Sequence, residues 1–217
     1  MHAVGYALRD NVTFCVAGEK IVFLDLSAGR YLGLSQSDET SLKSLIRSGS
    51  STSKEQDLSP GLLRLLVPSA SHGVEPFKLT VMPIRSLLDE DCVPAPISRK
   101  IAAIYWLCMT KRALQYRPLQ VHIEDIRKCK AQCGSRPFEI TMAQALEDMR
   151  TMATRHDQCL LRSLALMRWA ASRGMALDLV FGVTARPFQA HCWVQHGDMV
   201  MNDSLDHVIN FTPILAV

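Results

Sequence analysis

The C-terminal stretch of the chain holds three residues whose types suit acyl chemistry. Cys159 stands second in QCLLRSLALMRWAASRG, His191 lies in QAHCWVQ, and Asp203 lies in MVMNDS after the intervening HGD. A thiolate attacks a carbonyl carbon, an imidazole moves the proton, and a carboxylate holds the imidazole in one tautomer. Cys159 falls at the predicted start of an apolar helix. Unpaired N–H groups gather partial positive charge there and favour thiolate. Read alone, Cys159 also fits a buried structural cysteine.

His191 and Asp203 depend on a hairpin, because Gly197 lies midway between them. A three-residue loop, His196-Gly197-Asp198, pairs Gln195 with Met199 and sets His191 opposite Asp203. Facing Cβ atoms are then about 4.5–5.5 Å apart. A two-residue Gly197-Asp198 turn fits the sequence too. It sets Asp203 opposite Cys192, on the other face, and a bulge is then needed to restore the pairing. Taken singly, His191 reads as a hydrogen-bonded structural histidine and Asp203 as a strand-end residue. Their order after a helix-start cysteine resembles papain-like and transglutaminase-like cysteine enzymes.

The elements that must position these residues follow from periodicity. Helices are predicted over 98–114, 119–133, 141–154 and 159–173, the last stopped by Gly174. Strands follow over 177–184, 189–195 and 199–204. Upstream, 12–16, 20–26 and 30–34 read as three short strands with hairpin turns at AGE and SAG. SQSDETSLKSLIRSG reads as a helix with Ser37 as its N-cap, and GLLRLLV (61–67) as a short apolar helix. Pro68, Pro76, Pro83, Pro94 and Pro96 mark a linker. The expected organisation is α+β: a small domain over 1–80, a linker over 81–97 and a second domain over 98–217.

Several separated motifs carry a closer resemblance. CLLRSLAL (159–166), Gly182-Val183, FQAHCWV (188–194), Asn202-Asp203 and FTPIL (211–215) resemble the C-terminal part of lasso-peptide B proteins. The likeness spans about residues 155–217. It implies a transglutaminase-like cysteine peptidase fold, with Cys159, His191 and Asp203 as the catalytic group. It also implies a leader peptidase acting on a precursor peptide, and an asparagine-synthetase-like partner that closes a macrolactam. The chain departs from the family at Cys192, where a small residue is expected. Strand alternation sends Cys192 to the face opposite His191, away from the chemistry.

Residues 12–75, with FLDLSAGRYLGLS (23–35), resemble the small PqqD-type winged-helix domains that bind leader peptides as an added strand. The resemblance implies an edge at Arg30, Tyr31, Leu32, Gly33 and Leu34, backed by the 62–67 segment, with Leu62, Leu65 and Leu66 at the peptide. Alternation requires part of that strand to fill the domain's own core. Winged-helix folds also bind DNA, but residues 1–80 carry eight Lys/Arg and eight Asp/Glu. That balance gives a poor surface for phosphates.

The rest bounds the answer. Hydrophobic residues make up 48% of the chain, enough for a core, and the formal net charge is only +3, which argues against a nucleic-acid partner. The longest apolar run, IAAIYWLCM, is too short to span a bilayer, and the first residues lack a signal-peptide pattern. A cytoplasmic protein is expected. Cys129 and Cys133, with His122, offer metal ligands but lack a second pair at zinc-site spacing, so no metal is expected. Arg127, Lys128, Lys130 and Arg136 read as a solvated basic face or a partner contact. His156 and His207 read as incidental neighbours of the site. No phosphate-binding glycine loop is present, so no cofactor is expected. Two other functions remain open: acyl transfer to an amine, and a non-catalytic precursor chaperone.

Overall fold

A computed structural model describes residues 5–47, 58–69, 73–89, 94–134, 138–149 and 158–217. Cys92, Arg136, His156 and the last residues of the helix expected over 141–154 lie outside the described residues. The chain divides into two units, Met1–Lys78 and Leu79–Val217.

In the first unit, β1 (Gly5–Leu8) precedes a meander of β2 (Val12–Ala17), β3 (Lys20–Asp25) and β4 (Arg30–Gly33). Gly18 and Gly29 adopt φ of 61°, which the hairpin connections require and L side chains resist. Inward residues Phe14, Ile21 and Phe23 form a core with Leu42 and Leu45 of α1 (Gln36–Arg47). The Phe14 and Phe23 rings stack with centroids 5.1 Å apart. Ser35, not Ser37, caps α1: its Oγ accepts the Asp38 N–H at 3.2 Å.

The GLLRLLV run is not one helix. Only α2 (Pro60–Leu63) is helical, capped by Ser59, and β5 (Leu66–Ser69) pairs antiparallel with β1. The β-branched Val67 and the following proline suit that short outer pair. Leu62, Leu65 and Leu66, expected to line a peptide site, are 0%, 5% and 3% exposed in the core. Burying such a side chain stabilises by roughly 1.5–3 kcal/mol, so these leucines contribute to the packing of the first unit.

The second unit is helices followed by a sheet. Arg117 is extended because Pro118 follows it, and this ends α3 (Ile97–Tyr116) and starts α4 (Leu119–Gln132). These helices and α5 (Ile140–Asp148) pack on α6 (Gln158–Ser172). α6 is buried on most sides, through Ser163, Leu164, Ala165, Leu166, Met167, Trp169 and Ala170. The sheet runs β10-β7-β8-β9-β6, built from β7 (Asp178–Ala185), β8 (Phe188–His196), β9 (Met199–Val200), β10 (Thr212–Ala216) and β6 (Arg85–Ser86). All its pairs are antiparallel except β6 with β9. A short α7 (Leu205–Val208) links β9 to β10.

Within the linker expected over 81–97, the described residues include packed pieces: β6 extends the sheet, Ile84 N–H donates to Asp198 O at 2.9 Å, and Gln195 Nε2 donates to Val81 O at 2.7 Å. The prolines interrupt helix and strand without preventing these backbone bonds. The β8–β9 turn is the two-residue Gly197-Asp198 form, pairing His196 with Met199 and Gln195 with Val200. β9 therefore ends at Val200, well short of the strand expected through 204. Among the described residues, no helix is long and apolar enough to cross a membrane.

Candidate active site

α6 begins one residue before Cys159, so the packed helix body holds the cysteine's first turn in place. β8 runs between β7 and β9 and carries His191 opposite Gly182 of β7. A Cβ at Gly182 would lie 2.8 Å from both Phe211 Cβ and the Trp193 ring. The absent side chain lets those two aromatics close around His191, whose ring centroid lies 5.1 Å from Phe211 and 6.2 Å from Trp193.

The two-residue turn would carry Asp203 to the wrong face if the ladder continued. It stops instead. Met201 N–H still donates to Val194 O at 2.8 Å, but Val194 N–H donates to the Asn202 side-chain Oδ1 at 2.7 Å. Asn202 Nδ2 donates to Ser163 Oγ at 2.9 Å, and Ser163 Oγ donates to Cys192 O at 3.2 Å. This buried chain ties α6, β8 and the 201–203 bend together. The bend swings Asp203 back, and Ser86 Oγ donates to its carbonyl at 2.5 Å.

Asp203 Oδ2 then lies 2.6 Å from His191 Nε2. That bond leaves Nδ1 as the ring nitrogen available to Cys159, with which the His191 side chain also hydrogen-bonds. The structure thus brings Cys159, His191 and Asp203 together in one chain of contacts. They open onto a cleft of about 710 Å³ that Gln158, Arg162, Phe188 and Gln189 also line.

The electrostatics favour a charged pair. A hydrogen bond from the Cys192 side chain is the largest influence on Cys159. Burial opposes ionisation, but the His191 hydrogen bond, its charge and the Cys192 backbone N–H add to the effect and hold the thiol down at about 4. Burial works against the His191 imidazolium, yet the Asp203 and Cys159 hydrogen bonds and charges raise it to about 9. Asp203 is held below the usual carboxylate range: burial opposes its charge, and the bonds from His191 and His207 outweigh that. Cys192 is held well above the usual thiol range by its bond to Cys159 and by burial, so it keeps its proton and donates.

Four contributors escaped the sequence reading. Cys192 does not face away from the chemistry: it lines the same cleft as Cys159, His191 and Asp203. His207 is not incidental: Nδ1 lies 3.0 Å from Asp203 Oδ2, and its ring centroid is 4.7 Å from that of His191. Its i,i+4 spacing from Asp203 was the available signal. Ser163 follows Cys159 by the same spacing, which placed it on the cysteine's helix face. Asn202 stood in the Asn202-Asp203 motif, but its clamping role was not legible, since Ser163 is distant in sequence.

Among the described residues, His191, Asp203 and His207 are the grouping whose ligand atoms come close enough to hold an ion, all within 4.8 Å. Those atoms are engaged with one another through hydrogen bonds. Cys129, Cys133 and His122 instead line a separate, largely apolar groove with Trp106 and Met167. In the first unit, Arg30 and Gly33 are exposed on β4, while Leu32 and Leu34 pack partly on the core. Among the described residues β4 pairs with β3 alone and ends its sheet.

Residues 99–216 match the transglutaminase-like superfamily. The microcin J25-processing protein McjB of Escherichia coli is 46% identical over 48 residues, which is 22% of this chain and 23% of that protein. The matched stretch thus spans less than a quarter of that curated relative. No solved structure matches the chain.

Proposed function

Since the chain belongs to the transglutaminase-like superfamily, we propose that its second unit is a cysteine endopeptidase that removes the leader of a ribosomally made precursor during lasso-peptide maturation. The observation that carries this reading is the contact chain from Cys159 through His191 to Asp203, the last link 2.6 Å long. The partial likeness to a microcin-processing protein supports the choice of substrate.

Cys159 rests as thiolate beside the His191 imidazolium. The sulfur attacks the peptide carbonyl carbon at the end of the leader. The Cys159 backbone N–H, in the first turn of α6, would stabilise the oxyanion. His191 gives its proton to the departing amine as the C–N bond breaks. Neutral His191 then takes a proton from water, which attacks the thioester and releases the leader's new carboxylate. Asp203 holds the ring and its charge through both steps.

The first unit would hold the leader as a strand added beside β4, the last strand of its sheet among the described residues, at Arg30, Tyr31, Leu32, Gly33 and Leu34. Main-chain bonds would supply affinity and the alternate side chains selectivity. Tethering would raise the local concentration of the scissile bond, so the cleft itself can bind weakly. An asparagine-synthetase-like cyclase would take the released amine onward.

The test uses the full chain, a precursor peptide and a competing amine, read by mass spectrometry. Free leader carboxylate, absent with Cys159→Ala, is the expected product. An amide of the competing amine would replace hydrolysis with acyl transfer. Full processing by Cys159→Ala in the complete pathway would replace both with a chaperone role.

A further inference from the structure

We propose that His191, Asp203 and His207 form a binding site for a divalent transition metal of zinc's class, and that the seated ion reversibly switches off the group at Cys159. The geometry is nearly that of a metal site. Asp203 Oδ2 lies 2.6 Å from His191 Nε2 and 3.0 Å from His207 Nδ1. The ligand atoms of the three residues all lie within 4.8 Å of one another. Around a tetrahedral zinc ion with bonds of about 2.0–2.1 Å, neighbouring ligand atoms sit about 3.3 Å apart. The two short spacings need only open slightly to admit the ion. Two imidazoles and a carboxylate suit zinc, whereas calcium and magnesium take oxygen ligands.

The surroundings hold the ligands in place. The Phe211 ring centroid lies 5.1 Å from that of His191 and 5.3 Å from that of His207, so one ring packs on both imidazoles. Ser204 N–H donates to Asp203 Oδ1 at 2.8 Å. That bond orients the carboxylate as outer partners do around bound metals, and it leaves Oδ2 to ligate. All three residues line the active-site cleft, and the His207 side chain is 50% exposed. An ion therefore enters from the cleft and keeps a position for water. Its binding does not depend on which acyl substrate the cleft accepts.

The switch follows from His191, and this part rests on the reading of that ring as the proton carrier. A metal takes the place of the Nε2 proton, which leaves to solvent, and the bond to Asp203 is lost. With the metal on Nε2 and a proton on Nδ1, the ring has no nitrogen free to accept another proton. It cannot give up the Nδ1 proton without becoming an imidazolate. Proton transfer to the departing amine stops until the metal leaves.

The experiment titrates ZnCl2 into the full chain carrying Cys159→Ala, which removes the thiolate as a rival ligand, and reads binding by calorimetry and by the imidazole nitrogen NMR signals. The expected result is one ion that shifts the His191 and His207 signals. Adding Cys129→Ser and Cys133→Ser should leave that binding intact, and adding His207→Ala should weaken it at least about tenfold. In the chain with Cys159 intact, zinc should block leader cleavage, EDTA should restore it, and equal magnesium should not block it. The zinc midpoint, read against each protein's own metal-free rate, should rise at least about tenfold in His207→Ala. An unchanged midpoint there places the inhibitory ion on the thiolate and overturns the switch. Absence of zinc binding in Cys159→Ala, or its loss with the Cys129 and Cys133 changes, overturns the site. If the chain cleaves no precursor, calorimetry and NMR still decide the site. If His207→Ala does not fold, the NMR shifts in Cys159→Ala decide it.

Discussion

The β2–β3 and β8–β9 hairpins both turn on two residues led by a glycine at positive φ, Gly18 at 61° and Gly197 at 60°. From that shared start they diverge. The first runs as an unbroken ladder from Ala17↔Lys20 to Val12↔Asp25. Its alternation delivers Phe14, Ile21 and Phe23 to a core, and burial pushes its Cys15 thiol up to about 12. The second keeps register only through Gln195↔Val200 before the Asn202 amide captures Val194 N–H. The chain then turns, and Asp203 reaches His191. A ladder left to run yields packing and an inert thiol. A ladder interrupted by a buried amide yields a carboxylate aimed at an imidazole, and with it a thiolate.

The sharpest break in this comparison removes the sulfur the second hairpin serves. Cys159→Ala should lower kcat by about 10⁶-fold, and Asp203→Asn by about 10⁴-fold through the wrong imidazole tautomer. Cys15→Ala should leave leader cleavage unaltered. Steady-state cleavage assays check all three, and comparable rates for Cys159→Ala and Cys15→Ala would erase the distinction.

Next comes the interruption itself. Asn202→Ala leaves the Val194 N–H and Ser163 hydroxyl without their buried partner, at a cost of about 1–3 kcal/mol. Freed of its clamp, the bend should misplace Asp203 and lower kcat by about 10²-fold. Urea unfolding and single-turnover cleavage measure the two effects. A variant that is less stable yet turns over at the wild-type rate would show that the clamp does not aim the carboxylate.

pH separates the two thiols. Cys159 is depressed to about 4, so its thiolate forms as pH rises through that value; His191 is raised to about 9, so its imidazolium is lost as pH rises through that one. Turnover should be level between them and fall about tenfold per pH unit outside them. Iodoacetamide at pH 6 should label Cys159 and spare Cys15, whose proton stays on throughout. A profile centred on an ordinary thiol value would contradict the charged pair.

The smallest effect belongs to the regular hairpin. Gly18→Ala places a side chain at positive φ and should cost about 1 kcal/mol of stability in the first unit. It should leave labelling of Cys159 unchanged. Thermal unfolding with parallel labelling checks this, and a changed Cys159 rate would mean that the hairpins do not act separately.

Residue type and spacing made Cys159, His191 and Asp203 candidates, and the resemblance of the motifs around them singled them out; the stop at Gly174 and the helix-then-sheet order of the second unit were legible from local pattern. These follow from local rules: side chains repeat along a helix or strand with fixed periods, and glycine alone tolerates some backbone angles. Where a ladder ends is not local. Val194 N–H chooses between a strand partner and an amide that is itself fixed by Ser163, 39 residues away. Likewise, alternation put Cys192 on the far side of β8 from His191, yet both line one cleft with Cys159 at the start of α6. Leu66 passed for helix because a short apolar run fits either period until β1 supplies a partner. The sequence determined which groups were available for chemistry. Only tertiary structure decided which of them meet, because a buried polar group takes whatever partner the packed elements bring to it.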